Sequence, residues 1–543
     1  MIMKNMANGT NRLLLVAIII LLPVLIQIFY TGFNFFDFSN FKWLTYKGNR
    51  VILFFLWMLV ILGVTSFFRL RVTYLSIPIF FSILISIYSI VTQENVEYEV
   101  FAAITNTSYQ ETIEFISSYV ILGLLVALIC IFISLYLFLL KPVSPLGDFI
   151  GVRKNAIVLL MIGVVGIGLM YVYSRDTLYK TYPVSIPFYF KKYYKDVIIF
   201  KKEFNEIDYS FEGTQEYSNN NSLYILIIGE SARKQSFSSY GYHRDTTPYM
   251  LKAINSGKVK ASVYDAISSG ISTRLSVPLL LSTANVINYA SLGKSPTLPH
   301  FFNDAGFQTI LLSNQQASGR NNDIIALISN KMKDLTYLSE SDDTRGYDGD
   351  LLSHIKVEST ASSQATFMIV HLMGSHWKYN QRYPSEFSIF SGAGSRVDTY
   401  DNSIRYTDYI IGQVVDFMKQ SNRPIQLFYT SDHGENLNDS GDGNYLHAIK
   451  EMTEYEVKVP LFFATNLAFY NKYKSKVDRI LGNKNMLIGH DNISHTILGL
   501  AGLYDENYYK NKYDLSSRDF SQSKRYSINR RSEVINVDEY LGK

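Results

Sequence analysis

The chain has 543 residues, and its 51 Lys and Arg against 47 Asp and Glu leave a formal net charge of +4, too small to suggest a nucleic-acid-binding surface. A single cysteine, Cys130, excludes an intrachain disulfide, so cysteine usage says nothing of the redox compartment. The length allows more than one domain, and all nine histidines follow residue 242, which points any coordination chemistry to the later part.

Five apolar segments come first: Leu13 to Tyr30, Val51 to Phe68, Val72 to Val91, Tyr119 to Leu140 and Ala156 to Tyr173. Each is close to the roughly 20 residues that cross a bilayer as helix, with almost no charge inside. Helices of a soluble core would keep a polar face, and a cleaved signal peptide would explain at most the first. They predict a five-helix transmembrane domain over residues 1–173. Arg69 and Arg71 separate the second and third spans, and Lys141, Arg153 and Lys154 the fourth and fifth. Thr92 to Ser118 carries no Lys or Arg but holds Glu94, Glu97, Glu99, Glu111 and Glu114. The positive-inside rule puts the basic loops and N-terminus in the cytoplasm and everything after Tyr173 outside, although Lys42, Lys47 and Arg50 argue weakly the other way.

Residues 174–220 read as an interfacial linker. Aromatic and Lys residues interleave between Tyr182 and Lys195, a mixture suited to the headgroup layer, whereas an ordinary polar linker explains the distal half equally well. From Asn221 short apolar runs alternate with polar, helix-like stretches. Leu223 to Ile228, Val259 to Tyr264, Gln308 to Leu312, Thr366 to Leu372, Ile425 to Thr430 and Val459 to Ala464 are predicted strands, and Thr407 to Lys419 is a predicted amphipathic helix. That alternation predicts an α/β domain over 221–543, a mostly parallel sheet covered on both faces. The polar end, from Lys510 to Lys543, is expected to be loosely attached.

An open α/β sheet keeps its chemistry at strand ends. The run from Ile425 ends in Ser431-Asp432-His433-Gly434-Glu435, a carboxylate beside an imidazole, which suits zinc or serves as a hydrogen-bonded cap. The first strand closes with Gly229-Glu230-Ser231, a second carboxylate at a second strand end. Between them lies the hydroxyl-rich stretch Ala266 to Leu281, where a helix N-terminus favours anions and where Ser268 or Ser269 could equally be a plain N-cap.

Gly229-Glu230-Ser231-Ala232-Arg233 with Tyr240 to Pro248, and Ser268 to Thr273 with Ser276-Val277-Pro278, stand in order before Gly374-Ser375-His376 and Tyr400-Asp401-Asn402. Thr430 to Glu435, Tyr445-Leu446-His447 and His490-Asp491-Asn492 follow. In this order behind five spans, the set resembles the membrane-bound phosphoethanolamine transferases of Gram-negative envelopes, in the alkaline phosphatase and sulfatase superfamily. The resemblance implies an alkaline-phosphatase-like, three-layer domain in the periplasm, anchored in the inner membrane. It implies that Glu230, Thr273, Asp432 and His433 bind one zinc ion that activates Thr273 as the nucleophile. Phosphatidylethanolamine would be the donor, a phospho-threonine the intermediate, and lipopolysaccharide core or lipid A the acceptor. It implies that His376 and His447 hold a second zinc or steer the phosphate and leaving oxygen, a structural role being the alternative for either. Glu435 and His490 would support the site from behind. Asn106, Glu111 and Glu114 fall where the family meets the ethanolamine ammonium, though solvated charge explains them as well.

Two departures stand out. Ser269 and Leu279 occupy places where lipid A-modifying members have cysteines, and Ser313-Asn314-Gln315-Gln316 with Arg320-Asn321 resembles the cysteine-poor branch acting on the lipopolysaccharide core. A glycerophosphate transferase of the lipoteichoic acid synthase type, or a membrane-anchored phosphodiesterase or phosphatase, is the competing reading. A transporter or sensor is disfavoured because the spans hold no ionisable residue that would mark a pathway.

Overall fold

A computed structural model describes residues 41–68, 150–174 and a few positions in 17–26, 82–102 and 181–182 of the N-terminal part. Beyond it 185–215 and 221–542 are described, apart from 316–323, 339–345, 362–363, 392–394, 442–443, 449–450 and 523. Met1–Thr105 with Glu111–Tyr194 forms one compact unit, and Lys195–Lys543 with 106–110 forms the other.

In the first unit, helices α1 (Phe41–Phe68) and α2 (Ile150–Tyr173) contain the expected second and fifth spans. They pack in opposite directions, Leu53 beside Met170 and Leu56 beside Ile167. Gly163 and Gly166 let the helices close in, since a Cβ would stand 2.6 Å from a Val60 methyl at the first and 2.3 Å from a Leu56 methyl at the second. Among the described residues no helix is long and apolar enough to cross a membrane. The expected spans Leu13–Tyr30, Val72–Val91 and Tyr119–Leu140 lie wholly or largely outside the described residues, as do Cys130, Asn106, Glu111, Glu114, Gln316, Arg320 and Asn321.

The expected linker holds helix α3 (Ser185–Asn205), whose last turns bury Phe200 and Phe204 in the core of the second unit. That unit is built on an eight-stranded sheet. Its strands are β1 (Leu223–Gly229), β2 (Val259–Ile267), β3 (Gln308–Ser313), β4 (Asp334–Tyr337), β5 (Thr366–His371), β6 (Ile425–Ser431), β7 (Lys458–Asn466) and β8 (Ile488–Gly489). The spatial order is β8-β2-β7-β6-β1-β5-β3-β4. Only β7 is reversed; it pairs antiparallel with β2 and β6, and every other pairing in the sheet is parallel. All six predicted strands are present. The two that sequence patterning missed are the half-exposed edge strand β4 and the two-residue β8.

β1 lies inside the sheet with every residue buried, and its alternation feeds two cores. Tyr224, Leu226 and Ile228 join one face with α6 (Leu298–Asp304) and α8 (His490–Ala501), through Phe301, Phe302, Ile493 and Ile497. Leu223, Ile225 and Ile227 join the other, covered by α7 (Arg396–Gln420) through Tyr400, Ile404, Ile411, Val415 and Met418. The helical spacing of these residues explains why α7 buries one stripe, each such side chain contributing about 1.5–3 kcal/mol. Between α3 and α6 in the chain lie α4 (Pro248–Asn255) and α5 (Thr273–Leu280).

The C-terminal stretch departs from expectation. It is docked rather than loose: Leu515, Ile528 and Val537 are buried, and Tyr526–Ile528 pairs with Val534–Asn536. Ile528 N–H donates to Ser269 O at 2.9 Å, and Ile271 N–H donates to Ile528 O at 3.3 Å. Composition misled because the few apolar residues here are spaced to anchor a strand pair, not to form a continuous run.

Asp408 of α7 joins two elements. Its carboxylate oxygens accept the N–H groups of Tyr249, at 2.7 Å, and Met250, at 2.9 Å, in the first turn of α4. Replacing it by Ala orphans two donors, at about 1–3 kcal/mol each. Asp408→Ala is expected to lower the melting temperature of the full chain, and Asp408→Asn to recover part of the loss; equal melting of wild type and Asp408→Ala would refute this cross-cap.

Candidate metal centre and nucleophile turn

Glu230 and Asp432 leave the sheet side by side because β1 and β6 run parallel in register up to Gly229 and Ser431. The chain turns at once at Ser231, whose φ of 56° costs an L residue roughly 1–2 kcal/mol. Tyr400 of α7 holds that turn, its hydroxyl donating to Ser231 O at 2.7 Å and accepting from the Arg233 N–H at 2.9 Å. From the other side comes Gly374, at φ 51°, where a Cβ would stand 2.7 Å from Glu230 N and 2.9 Å from its O. The N–H groups of Met373 and Gly374 each donate to the buried Asp348 carboxylate at 2.8 Å, which fixes the loop leading to His376.

Asp432 Oδ1 accepts from the N–H groups of His433 at 2.7 Å and Ser231 at 3.0 Å. Its Oδ2 is buried with no hydrogen-bond partner among the described residues. His433 Nδ1 lies 2.8 Å from Gly434 O, so a neutral ring donates there and turns the Nε2 lone pair inward. Nε2 stands 3.3 Å from Glu230 Oε1, from Asp432 Oδ2 and from Thr273 Oγ1. Thr273 Oγ1 is 3.2 Å from Glu230 Oε2.

These distances test the site for zinc. Oxygen and nitrogen ligands sit roughly 2.0–2.1 Å from a tetrahedral zinc ion, which sets them about 3.3 Å from one another. The separations of 3.2 and 3.3 Å match, and the buried, unpartnered Asp432 oxygen is what a cation would satisfy. Charges point the same way. Burial opposes ionisation of Glu230, but the hydrogen bond and charge of His433 outweigh it and hold this carboxyl below the usual range. Burial and the Glu230 charge push Asp432 up to about 8. Burial works against charge on His433 as well, yet Asp432 and Glu230 raise it to about 10. The cluster thus keeps protons that a divalent cation would displace.

Thr273 opens α5 after Ser272, and the N-terminal end of a helix favours negative charge. The helix is tied to the centre by Ser276, whose hydroxyl donates to Asp432 O at 2.5 Å and lies 3.1 Å from His490 Nδ1. His490 also receives the Ser269 N–H at 3.3 Å and approaches Thr430 Oγ1 at 3.3 Å; burial lowers its pKa to about 3, so it stays neutral. It therefore sits behind the turn, not among the converging groups. His447 lies beside His433, their ring centres 3.9 Å apart, and its Nδ1 is 3.1 Å from Glu435 Oε2. Glu435 thus braces His447 rather than His433. His376 Nδ1 is 2.8 Å from Trp377 O, but among the described residues the tight metal-capable group contains Glu230, Asp432 and His433.

Sequence reading assigned no role to Gln315, Tyr400 or Asp348. Gln315 Nε2 donates to Leu372 O at 2.9 Å and approaches Glu230 Oε2 at 3.4 Å. Both Gln315 and Tyr400 belong to motifs quoted for the resemblance, so a signal existed; Asp348, in a polar run, gave none.

A family model described as Sulfatase matches residues 222–503. YhbX of Escherichia coli (strain K12) is 33% identical over 241 residues, 44% of this chain and 42% of that one. Phosphoethanolamine transferase EptC of the same organism is 28% identical over 240 residues, 41% of each chain. The chain therefore spans about two fifths of the length of these relatives. The solved C-terminal periplasmic domain of Escherichia coli EptC in complex with Zn has a TM-score of 0.55 at 24% identity, covering 60% of this chain and 95% of that one. The integral membrane protein lipooligosaccharide phosphoethanolamine transferase A from Neisseria meningitidis has a TM-score of 0.69 at 19% identity, covering 92% and 97%. At these identities the two structures establish a shared fold.

Zinc added to the metal-stripped chain is expected to raise its melting temperature, a stabilisation of about 2.7 kcal/mol at a hundredfold excess over Kd. Asp432→Asn should lose most of that rise with its circular dichroism unchanged; an equal rise in both proteins would remove Asp432 from the metal-binding set.

Proposed function

The chain belongs to the sulfatase family, whose matched span of residues 222–503 contains every converging group, and on that premise we propose that it transfers phosphoethanolamine from phosphatidylethanolamine to an envelope acceptor. The observation that carries this reading is the set of four side chains, Glu230, Asp432, His433 and Thr273, brought to contacts of 3.2 and 3.3 Å at the ends of β1 and β6 and the start of α5. The name of the relative EptC and the zinc in its solved domain support it.

Zinc held by Glu230, Asp432 and His433 would supply positive charge that lowers the pKa of the Thr273 hydroxyl and offsets charge on the phosphoryl oxygens. Thr273 Oγ then attacks phosphorus in line. Its proton leaves, an Oγ–P bond forms, and the bond from phosphorus to the diacylglycerol oxygen breaks, that oxygen leaving protonated as diacylglycerol. The N–H groups at the start of α5 face the charge that develops. An acceptor oxygen displaces Thr273 in a second in-line step and restores the hydroxyl. His447, braced by Glu435, and His376, placed by the Asp348-bound loop, flank the centre as groups that steer the phosphoryl oxygens or pass a proton to the leaving oxygen. The donor brings the reaction to a membrane surface, in keeping with the five expected spans and a catalytic unit on the outer face of the inner membrane.

Thr273→Ala is expected to reduce release of diacylglycerol from phosphatidylethanolamine by roughly a thousandfold or more, with zinc-dependent melting retained. Mass spectrometry of lipid A, core sugars and periplasmic protein, from cells with and without the chain, should find phosphoethanolamine added only in its presence. Full activity in Thr273→Ala would exclude the covalent route.

A further inference from the structure

The loop that follows β5 and carries His376 is gripped at both ends. Its first half is tied to Glu230. Ser375 N–H donates to Glu230 O at 2.9 Å, and Gln315 Nε2 donates to Leu372 O at 2.9 Å while approaching Glu230 Oε2 at 3.4 Å. Its second half is held by Arg382, which is buried. Arg382 Nε donates to His376 O at 2.9 Å, and Nη2 donates to Trp377 O at 2.8 Å. A single turn, Tyr379–Gln381, lies between, closed by the Arg382 N–H donating to Tyr379 O at 3.0 Å. That turn is seated on the site as well. The ring of Tyr379 stands edge-on to Tyr400, centres 5.0 Å apart, and Tyr400 holds the Ser231 turn next to Glu230.

Trp377 O decides how His376 is used. It lies 2.8 Å from His376 Nδ1, and a carbonyl oxygen can only accept, so a neutral ring carries its proton on Nδ1 and keeps a lone pair on Nε2. The same local device sets His433, whose Nδ1 is 2.8 Å from the O of the next residue, Gly434. At His376 the carbonyl has a second donor, and that donor is a cation. A hydrogen bond from a charged group is roughly twice as strong as a neutral one, and the planar guanidinium takes two consecutive carbonyls at once. The oxygen that receives His376 is therefore aimed by a buried charge. With that donor removed, the peptide oxygen is free to turn, and the ring loses the fixed acceptor that selects its tautomer.

Resting on the transfer reading, we propose that Arg382 is a positioning residue for the reaction: through Trp377 O it holds His376 in the tautomer protonated at Nδ1, which leaves Nε2 for the phosphoryl or leaving oxygen. NMR of the ring nitrogens reads the tautomer directly, in the full chain labelled at histidine, in detergent and at alkaline pH. The His376 signals are those lost in His376→Gln. Wild type should carry the proton on Nδ1. Arg382→Gln should move both nitrogens toward the average of the two tautomers. It should also lower kcat for diacylglycerol release at least about tenfold, with KM within about twofold and the zinc-dependent rise in melting temperature kept. Arg382→Lys, which still donates to one carbonyl, should fall between the two in both readouts. The proposal is overturned by a wild-type proton on Nε2, by His376 signals that Arg382→Gln leaves in place, or by kcat in that variant within about threefold of wild type. If Arg382→Gln loses its zinc-dependent melting, Arg382→Lys decides alone, and a spectrum or kcat equal to wild type overturns the proposal. Failure of wild type to release diacylglycerol would overturn the transfer reading, while the spectra would still test whether Arg382 sets the ring.

Discussion

Two buried carboxylates placed within a few ångströms of each other repel, by roughly 4 kcal/mol at about 4 Å and an effective dielectric of about 20. Glu230 and Asp432 are forced into that position by strand register, because β1 and β6 are parallel neighbours that end together. The elements around the pair read as means of holding it. Tyr400 pins the Ser231 turn, Gly374 permits a second loop to lie against Glu230, and the Asp432 Oδ1 atom is occupied by backbone donors so that only Oδ2 faces inward. A divalent cation held there would turn the repulsion into attraction to a common centre, and its charge would act on Thr273 as well.

The turn that presents Thr273 is held without covalent crosslinks. With one cysteine in the chain, no bridge can flank Thr273, and Ser269 and Leu279 stand in the flanking places. Other contacts restrain the turn: Ser276 bonded to Asp432 O, the neutral His490 receiving the Ser269 N–H, and Ile528 pairing with Ser269 and Ile271. Each is modest in net energy, and together they fix a backbone that a disulfide would fix by restricting the unfolded chain.

Much of the second unit was legible in the sequence because its strands are buried on both faces and read as continuous apolar runs. β4 escaped because exposed Asp334 and half-exposed Thr336 blur such a run, and the reversal of β7 leaves no mark on composition. The groups of the centre were visible since Glu230, Asp432 and His433 end strands and Thr273 starts a helix. What supports them was not. Asp348 and the choice of Glu435 for His447 over His433 depend on how loops distant in sequence return, which local pattern does not encode. The N-terminal spans rest on hydropathy alone, since most of them lie outside the described residues.

The pairing of Ile528 with Ser269 and Ile271 has a consequence for biosynthesis. A nascent polypeptide emerges from the ribosome with its alcohol and both acidic side chains long before the strand that braces the turn exists. Ordering of that segment must therefore await synthesis of Ile528. A product stalled or terminated before Ile528 would hold the ingredients of the centre without the brace, so the fold makes the order of this segment depend on a strand synthesised long after it.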